Sequence, residues 1–294
     1  MPGTKKYKDS EQQELPQWLH DYRKPTILKY DTSIYPFRQL VADWLGVPSD
    51  QLETIHLLPL PEASKVNPRI CQAWKAAKMP RLTREARIMD AQTQRQVFQS
   101  DAYHKLMETY RLFVKEVIAP DCGDQNIVYQ APPTTRVVLP NGRSTISMHS
   151  DKEYSGHQAA EINFWLPLTK VGGTNSLWLE SAPGKGDFEP IELEYGQFLK
   201  FNGYDCRHYT VDNETDQCRV SFDFRVTPSE LCLQRKQCGE FCVEETTSEG
   251  YIAYPHKFWK ITRNMTHGEE EGLDPIEYIL PSEDKAKYMS TLKS

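Results

Sequence analysis

Cys218-Arg219-Val220-Ser221-Phe222-Asp223-Phe224-Arg225-Val226-Thr227 alternates polar and apolar residues without a break from Arg219 to Val226. Successive side chains of a strand point to opposite faces, so this period of two predicts a strand. Val220, Phe222, Phe224 and Val226 share an apolar face, and Arg219, Ser221, Asp223 and Arg225 share the other. An ordinary half-exposed strand shows the same alternation, so the face alone assigns no chemistry to Asp223 or Arg225. Arg225 can neutralise Asp223 or reach the carboxylate of a substrate. Arg219 and Ser221 stand apart because of what precedes them.

Eleven residues before Arg219 lies His208, in Cys206-Arg207-His208. A further 57 residues upstream of His208 is Asp151, in Met148-His149-Ser150-Asp151. Two histidines and one carboxylate can cap one face of a metal and leave its other positions open, which suits non-haem Fe(II) with O2 and a co-substrate. His-x-Asp alone is a weak signal in a chain with eight histidines. The order and spacing of His208 and Arg219-x-Ser221 strengthen it, whereas His20, His56, His104, His157, His256 and His267 lack such a pattern and read as surface or core residues. A guanidinium and a hydroxyl on one strand face can hold a distal carboxylate through bidentate and single hydrogen bonds. These residues together point to His149, Asp151 and His208 as iron ligands and to Arg219 and Ser221 as the anchor of 2-oxoglutarate.

Glu161-Ile162-Asn163-Phe164-Trp165-Leu166-Pro167-Leu168 alternates in its first half, placing Glu161, Asn163 and Trp165 on one face. Facing a metal pocket, Asn163 can hydrogen-bond the co-substrate and Trp165 can wall off water; facing outward, the same residues form a solvent-side stripe. Gly172-Gly173 then turns the chain into Ser176-Leu177-Trp178-Leu179.

The stretch Met148–Ser181, with Asn213-Glu214-Thr215 and Cys218–Arg225, resembles the Fe(II)/2-oxoglutarate oxygenases. More narrowly it resembles the branch containing streptomycin-biosynthesis-type and kainoid-synthase-type enzymes. The resemblance is carried by residues 145–228. It implies the ligand and clamp roles already named, with Fe(II), 2-oxoglutarate and O2 as the reacting set. Related halogenases replace the carboxylate by Gly or Ala, and the retained Asp151 argues against halogenation. The kainoid-type resemblance implies oxidative closure of an N-prenyl glutamate to a pyrrolidine, with hydroxylation of a small natural-product precursor as the alternative. A dicarboxylate substrate calls for cations, and Arg136, Arg143, Lys152 and Arg225 in the strand region are the candidates, with Trp165 as a further substrate contact. Two other readings stay open: a non-catalytic jelly-roll binding protein, and a cupin dioxygenase that needs no 2-oxoglutarate.

The chain has 294 residues, enough for one substantial core. A formal net charge of −6 gives no basic footprint for nucleic acid. No apolar run of about 18 residues suggests a membrane span, and the opening residues are polar and charged. The expectation is a cytoplasmic enzyme whose partner is a small molecule, with no obligatory protein partner. Seven cysteines at scattered spacing, Cys232, Cys238 and Cys242 included, favour free thiols over a zinc site or disulfides.

The organisation expected is a single oxygenase domain. Residues 1–30 read as a loosely held polar arm and 35–120 as helical support. Residues 126–228 read as the jelly-roll core, and 229–294 as a C-terminal extension. Phe37, Leu40, Val41, Trp44 and Leu45, then Tyr103, Leu106, Met107, Tyr110, Phe113, Val114 and Val117, recur at helical spacing and should pack on the outside of a sheet. Strands are expected at Asn126–Gln130, Thr134–Leu139, Ser144–His149, Ala160–Leu168, Ser176–Leu179, Gln197–Phe201 and Arg219–Thr227, with Pro140-Asn141-Gly142 as a hairpin turn. The fold class is mainly β with helical support: a double-stranded β-helix (jelly roll, cupin-like) flanked by N-terminal helices.

Overall fold

Strand β9 (Arg219–Pro228) organises the structure, because both of its faces are covered. The computed structural model describes residues 15–58, 70, 73, 100–122, 127–130, 133–144, 146–154, 157–228 and 231, with short strands at 259–262 and 270–271. Ahead of β9 come α1 (Gln17–Tyr22), β1 (Thr26–Lys29), α2 (Phe37–Leu45) and a 3-10 segment at Ser49–Leu57. Helix α3 (Asp101–Phe113) follows, then β2 (Ile127–Gln130), β3 (Thr134–Val138), β4 (Ile162–Pro167), β5 (Trp178–Leu179), β6 (Glu189–Pro190), β7 (Gln197–Phe201) and β8 (His208–Tyr209).

Helix boundaries follow local chemistry. Ser100 caps α3 by accepting from the Tyr103 N–H at 3.2 Å. The helix then widens into a π turn at Val114–Ile118 before Ala119–Asp121. Pro120 has no N–H for the Glu116 carbonyl and its ring crowds that position, which the wider turn accommodates. Helix α2 ends at Gly46, whose φ of 74° lies in the left-handed region, and Val47 N–H closes back on the Ala42 carbonyl at 3.0 Å.

The larger sheet is antiparallel throughout and runs β1-β7-β4-β9, with β2 and β3 both paired to the far side of β9. Beyond β2 it continues through β10 (Trp259–Thr262) and β11 (Glu270–Glu271). A smaller sheet has the order β6-β5-β8. The molecule is therefore mainly antiparallel β with a few helices. Val220, Phe222, Phe224 and Val226 bury against the helices: Phe222 meets Phe37 edge-on at 5.1 Å and Phe224 meets Tyr110 at 5.2 Å. On the opposite face a second apolar cluster forms around Trp165, Leu177, Leu199 and Phe201.

Several local expectations change. Residues 17–29 are not a loose arm: Leu19 and Arg23 are fully buried, and β1 pairs with β7 along its whole length. Arg23 is held by backbone carbonyls of Ala159 and Glu161, which a composition-based reading cannot see. Among the described residues of Ser144–His149 no strand forms, and of these only His149 makes a ladder-type bridge. Side-chain oxygens compete for the backbone there, since Ser144 N–H donates to Asp212 and Ile146 N–H to Thr210. Pro140-Asn141-Gly142 does turn the chain, with Asn141 at φ 55° and Gly142 N–H bonded to the Leu139 carbonyl. Strands β1, β6 and β8 escape periodicity because they are short or carry no alternation. Residues 1–14 and Cys232, Cys238 and Cys242 lie outside the described residues, as does all of the C-terminal extension but Leu231, β10 and β11.

Candidate metal centre and its anion pocket

His149 and His208 face each other across an antiparallel bridge, exchanging both backbone hydrogen bonds at 3.2 and 2.8 Å. That pairing closes the sequence gap between them and brings their rings to 4.5 Å between centroids. Asp151 sits at the start of a single 3-10 turn, Asp151–Glu153, stabilised by a reciprocal capping box between Ser150 and Glu153. Its backbone N–H donates to the Gly203 carbonyl at 2.8 Å, tying the turn to the loop after β7.

The ring nitrogens have defined orientations. His149 Nδ1 lies 2.6 Å from the Ser147 carbonyl and His208 Nδ1 lies 3.1 Å from the Cys206 carbonyl. A neutral imidazole that donates from Nδ1 keeps its lone pair on Nε2. Both Nε2 atoms point at one carboxylate oxygen, Asp151 Oδ1, at 3.5 Å from His149 and 3.9 Å from His208. Donors on one face of an octahedral ion with bonds of about 2.1 Å are about 3.0 Å apart, so a small contraction would complete a ligand set. Burial pushes His208 down to about 4 against the pull of Asp151, so the ring is neutral at pH 7. Burial alone would raise the Asp151 carboxyl, but the Arg225 guanidinium, joined by His149, His157 and His208, outweighs it and holds the group well below the usual carboxylate range.

The polar face of β9 is not solvent-exposed. Its Arg219, Asp223 and Arg225 line a cleft together with Asn163, Trp165, Arg136, His149 and His208. Arg219 is 2 % exposed and donates from Nη1 to the Ser176 carbonyl at 3.2 Å, while its Nε has no partner. Among the described residues it makes no ion pair within 4 Å. Burial, with Arg136 adding to it, brings its value down to about 10. Ser221, fully buried on the same face, has a hydroxyl without a partner. A buried guanidinium with spare donors beside an idle hydroxyl is a site that an anion would complete.

The remaining candidates divide. Asn163 does reach the centre, where Nδ2 donates to Asp151 Oδ2 at 2.8 Å and Oδ1 accepts from Gly203 N–H at 3.1 Å. Trp165 and Arg136 line the cleft, and Arg136 Nε pairs with Asp223 at 2.8 Å. Arg225 is spent inside the protein, bonding Asp151 at 2.9 and 3.3 Å and Asp223 at 3.1 Å. It forms an ion pair with the Asp151 carboxylate while still lining the cleft. Lys152 is half exposed, pairs with Asp205 at 3.6 Å and is not part of the cleft wall. Arg143 is likewise absent from that wall.

Glu161 is fully buried rather than solvent-side, bonded to His157 Nδ1 at 2.6 Å and to Gln158 N–H at 3.0 Å. Asp151, His157 and Glu161 form a second group of metal-ligand types within 4.8 Å, but Glu161 and His157 already satisfy each other. The alternation did place Arg225 on the correct face; what it could not supply was the partner. Gly203 carried no signal beyond being a glycine, yet a Cβ there would come within 2.4 Å of Asn163 Nδ2, so the close approach requires its absence.

No protein-family model matches the chain. It is 37% identical over 144 residues to the streptomycin biosynthesis protein StrG of Streptomyces griseus, covering 46% of this chain and 66% of that protein, just under two thirds of its length. Among solved structures it is similar to the non-heme alpha ketoglutarate dependent carbocyclase SnoK from nogalamycin biosynthesis. That match has a TM-score of 0.43, 10% identity and coverage of 74% and 85% of the two chains. It is also similar to a nickel complex of the non-heme monooxygenase ThoJ, with a TM-score of 0.39, 12% identity and coverage of 71% and 76%. No helix among the described residues is long and apolar enough to cross a membrane.

Proposed function

We propose that this chain is an Fe(II)- and 2-oxoglutarate-dependent oxygenase acting on a small, carboxylate-bearing, amino-acid-derived molecule. The observation that carries the proposal is the pairing of two features in one cleft. His149 Nε2, His208 Nε2 and Asp151 Oδ1 converge, and the buried, un-ion-paired Arg219 with the idle Ser221 hydroxyl lies on the same strand face as Asp223 and Arg225. One carboxylate and two imidazoles suit Fe(II) and leave positions for a chelating co-substrate and O2.

The residues divide the work. His149, Asp151 and His208 would hold the metal. Arg219 and Ser221 would receive the distal carboxylate of 2-oxoglutarate, the charge from the guanidinium and one further hydrogen bond from the hydroxyl. Trp165 and Phe201 exclude water from the cleft between the sheets. Bound iron with 2-oxoglutarate and O2 supplies an oxidant able to remove hydrogen from an unactivated C–H bond, with succinate and CO2 as co-products. The protein's part is to position the target carbon. We take the two antiparallel sheets as the halves of a double-stranded β-helix, a reading supported by the site lying between them.

Natural-product biosynthesis is the setting we infer, supported by the streptomycin-pathway name of the Streptomyces griseus relative. Within it the first specific reaction we propose is oxidative ring closure of an N-prenyl glutamate, and the second is hydroxylation of a related precursor. Arg136, a quarter exposed at the cleft and paired through Nε with Asp223, is the cation we propose for a substrate carboxylate. Anaerobic loading with Fe(II) and 2-oxoglutarate should produce a charge-transfer band that needs both. O2 and a panel of amino-acid-derived acids should then give a mass gain of one oxygen or a loss of two hydrogens. Absence of the band, or O2 uptake independent of 2-oxoglutarate, would overturn the class. A neutral lipid or a peptide as the sole substrate would overturn the substrate alone.

A further inference from the structure

The inner face of the large sheet places Asn163 of β4 directly opposite Arg225 of β9 in the strand register. Cross-strand partners stand side by side, and both of these reach the same oxygen, Asp151 Oδ2. Asn163 Nδ2 donates to it at 2.8 Å and Arg225 Nε at 2.9 Å. Two strong donors occupy the acceptor directions of that oxygen. The other oxygen, Oδ1, is treated differently: it receives one longer bond, from Arg225 Nη2 at 3.3 Å, and is the atom on which the two imidazoles converge.

We infer that Arg225, assisted by Asn163, is a positioning residue that locks Asp151 into one-oxygen donation through Oδ1. The inference rests on the metal reading of the site and adds what decides its coordination number. A free carboxylate can swing to give both oxygens to a metal and so consume one of the positions a co-substrate or O2 requires. With Oδ2 held by Nε and by the amide, that swing breaks two short hydrogen bonds inside a buried site. A metal on Oδ1 displaces nothing shorter than the 3.3 Å contact. Arg225 is itself anchored from behind by Asp223 at 3.1 Å, so it cannot follow a rotating carboxylate. Asn163 is fixed in turn by Gly203 N–H, and the missing side chain at Gly203 gives its amide room.

Co(II) titration of the full chain without 2-oxoglutarate, read by its visible ligand-field absorption, tests this. The proteins are wild type, Arg225→Gln, Arg225→Lys and His208→Ala, each with its thermal midpoint recorded. Arg225→Gln should bind Co(II) ten- to hundredfold more weakly, the range usual for removing a partner behind a metal ligand. Its absorption should shift in band position as the second oxygen of the freed carboxylate replaces a water on the metal. Arg225→Lys keeps a cation without the two-point grip, so it should fold if the charge is what the core needs, yet still show the altered absorption. Affinity within threefold of wild type and unchanged absorption in a folded Arg225 variant would overturn the inference while leaving the metal site intact. Wild type that binds no Co(II), or His208→Ala that binds as wild type does, would instead overturn the metal reading beneath it.

Discussion

Arg219 enters the interior with one neutral acceptor, the Ser176 carbonyl, and an unpartnered Nε. Keeping a buried guanidinium so poorly matched costs free energy that an anionic ligand would recover. Arg219→Ala should therefore weaken 2-oxoglutarate binding ten- to hundredfold, because each charge-assisted hydrogen bond contributes about 1.5–3 kcal/mol. Metal affinity measured without co-substrate should change little, and Ser221→Ala should have the smaller effect of the two. Calorimetric titration separates them, and unchanged co-substrate affinity in Arg219→Ala would remove the clamp. Two free cysteines, Cys206 and Cys218, are buried near the site. Burial pushes the Cys206 thiol up to about 12 and Cys218 up to about 11, so at pH 8 about one part in a thousand or less is thiolate. Both should resist alkylation in the native protein and label fully after denaturation. Peptide mapping of the modified residues checks this, and rapid native labelling of Cys206 would contradict it.

Strand β9 works as a two-sided element: aromatic rings on one face lock it to the helices, while charges on the other build the site. Phe222 touches Phe37 of α2 and Tyr110 of α3 at 5.1 and 6.2 Å between ring centres. Phe222→Ala should cost about 3–5 kcal/mol, the usual range for truncating a buried aromatic, and should be seen as a lower urea midpoint. Arg219 and Arg225 lie on the opposite face, so the folded fraction should retain its metal affinity. A loss under about 1 kcal/mol would mean the helical layer contributes little to holding β9. The alternation in this strand was legible from its residues because period two is a local property. The burial of its polar face was not, since a half-exposed strand and one facing an internal cleft share the same pattern.

At the scale of the molecule, the site joins distant parts of the chain: the turn at Asp151, the bridge strand at His208, β4 and β9. Ligands that bind only this assembled arrangement must stabilise the whole fold. Saturating Fe(II) or Co(II) should raise the unfolding midpoint, and 2-oxoglutarate should raise it further only when metal is present. At a hundredfold excess over its dissociation constant each ligand adds about 2.7 kcal/mol. A chelator should reverse both increments in calorimetry. Equal stabilisation by 2-oxoglutarate with and without metal would place the acid elsewhere.

By itself the sequence determined the side-chain kinds and their faces: His149 and Asp151 separated by one residue, the polar row from Arg219 to Arg225, and the apolar stripes of α2 and α3. These follow from periodicity, which depends on neighbours along the chain. Only the tertiary structure decided which charges meet. The pairing of His149 with His208, the grip of Arg225 and Asn163 on Asp151, the burial of Glu161 against His157, and the position of Lys152 outside the cleft wall all depend on strand register and loop path. Register is fixed by packing between segments far apart in sequence, and a shift of one residue would turn the strand-borne side chains Asn163, His208 and Arg225 to the other face.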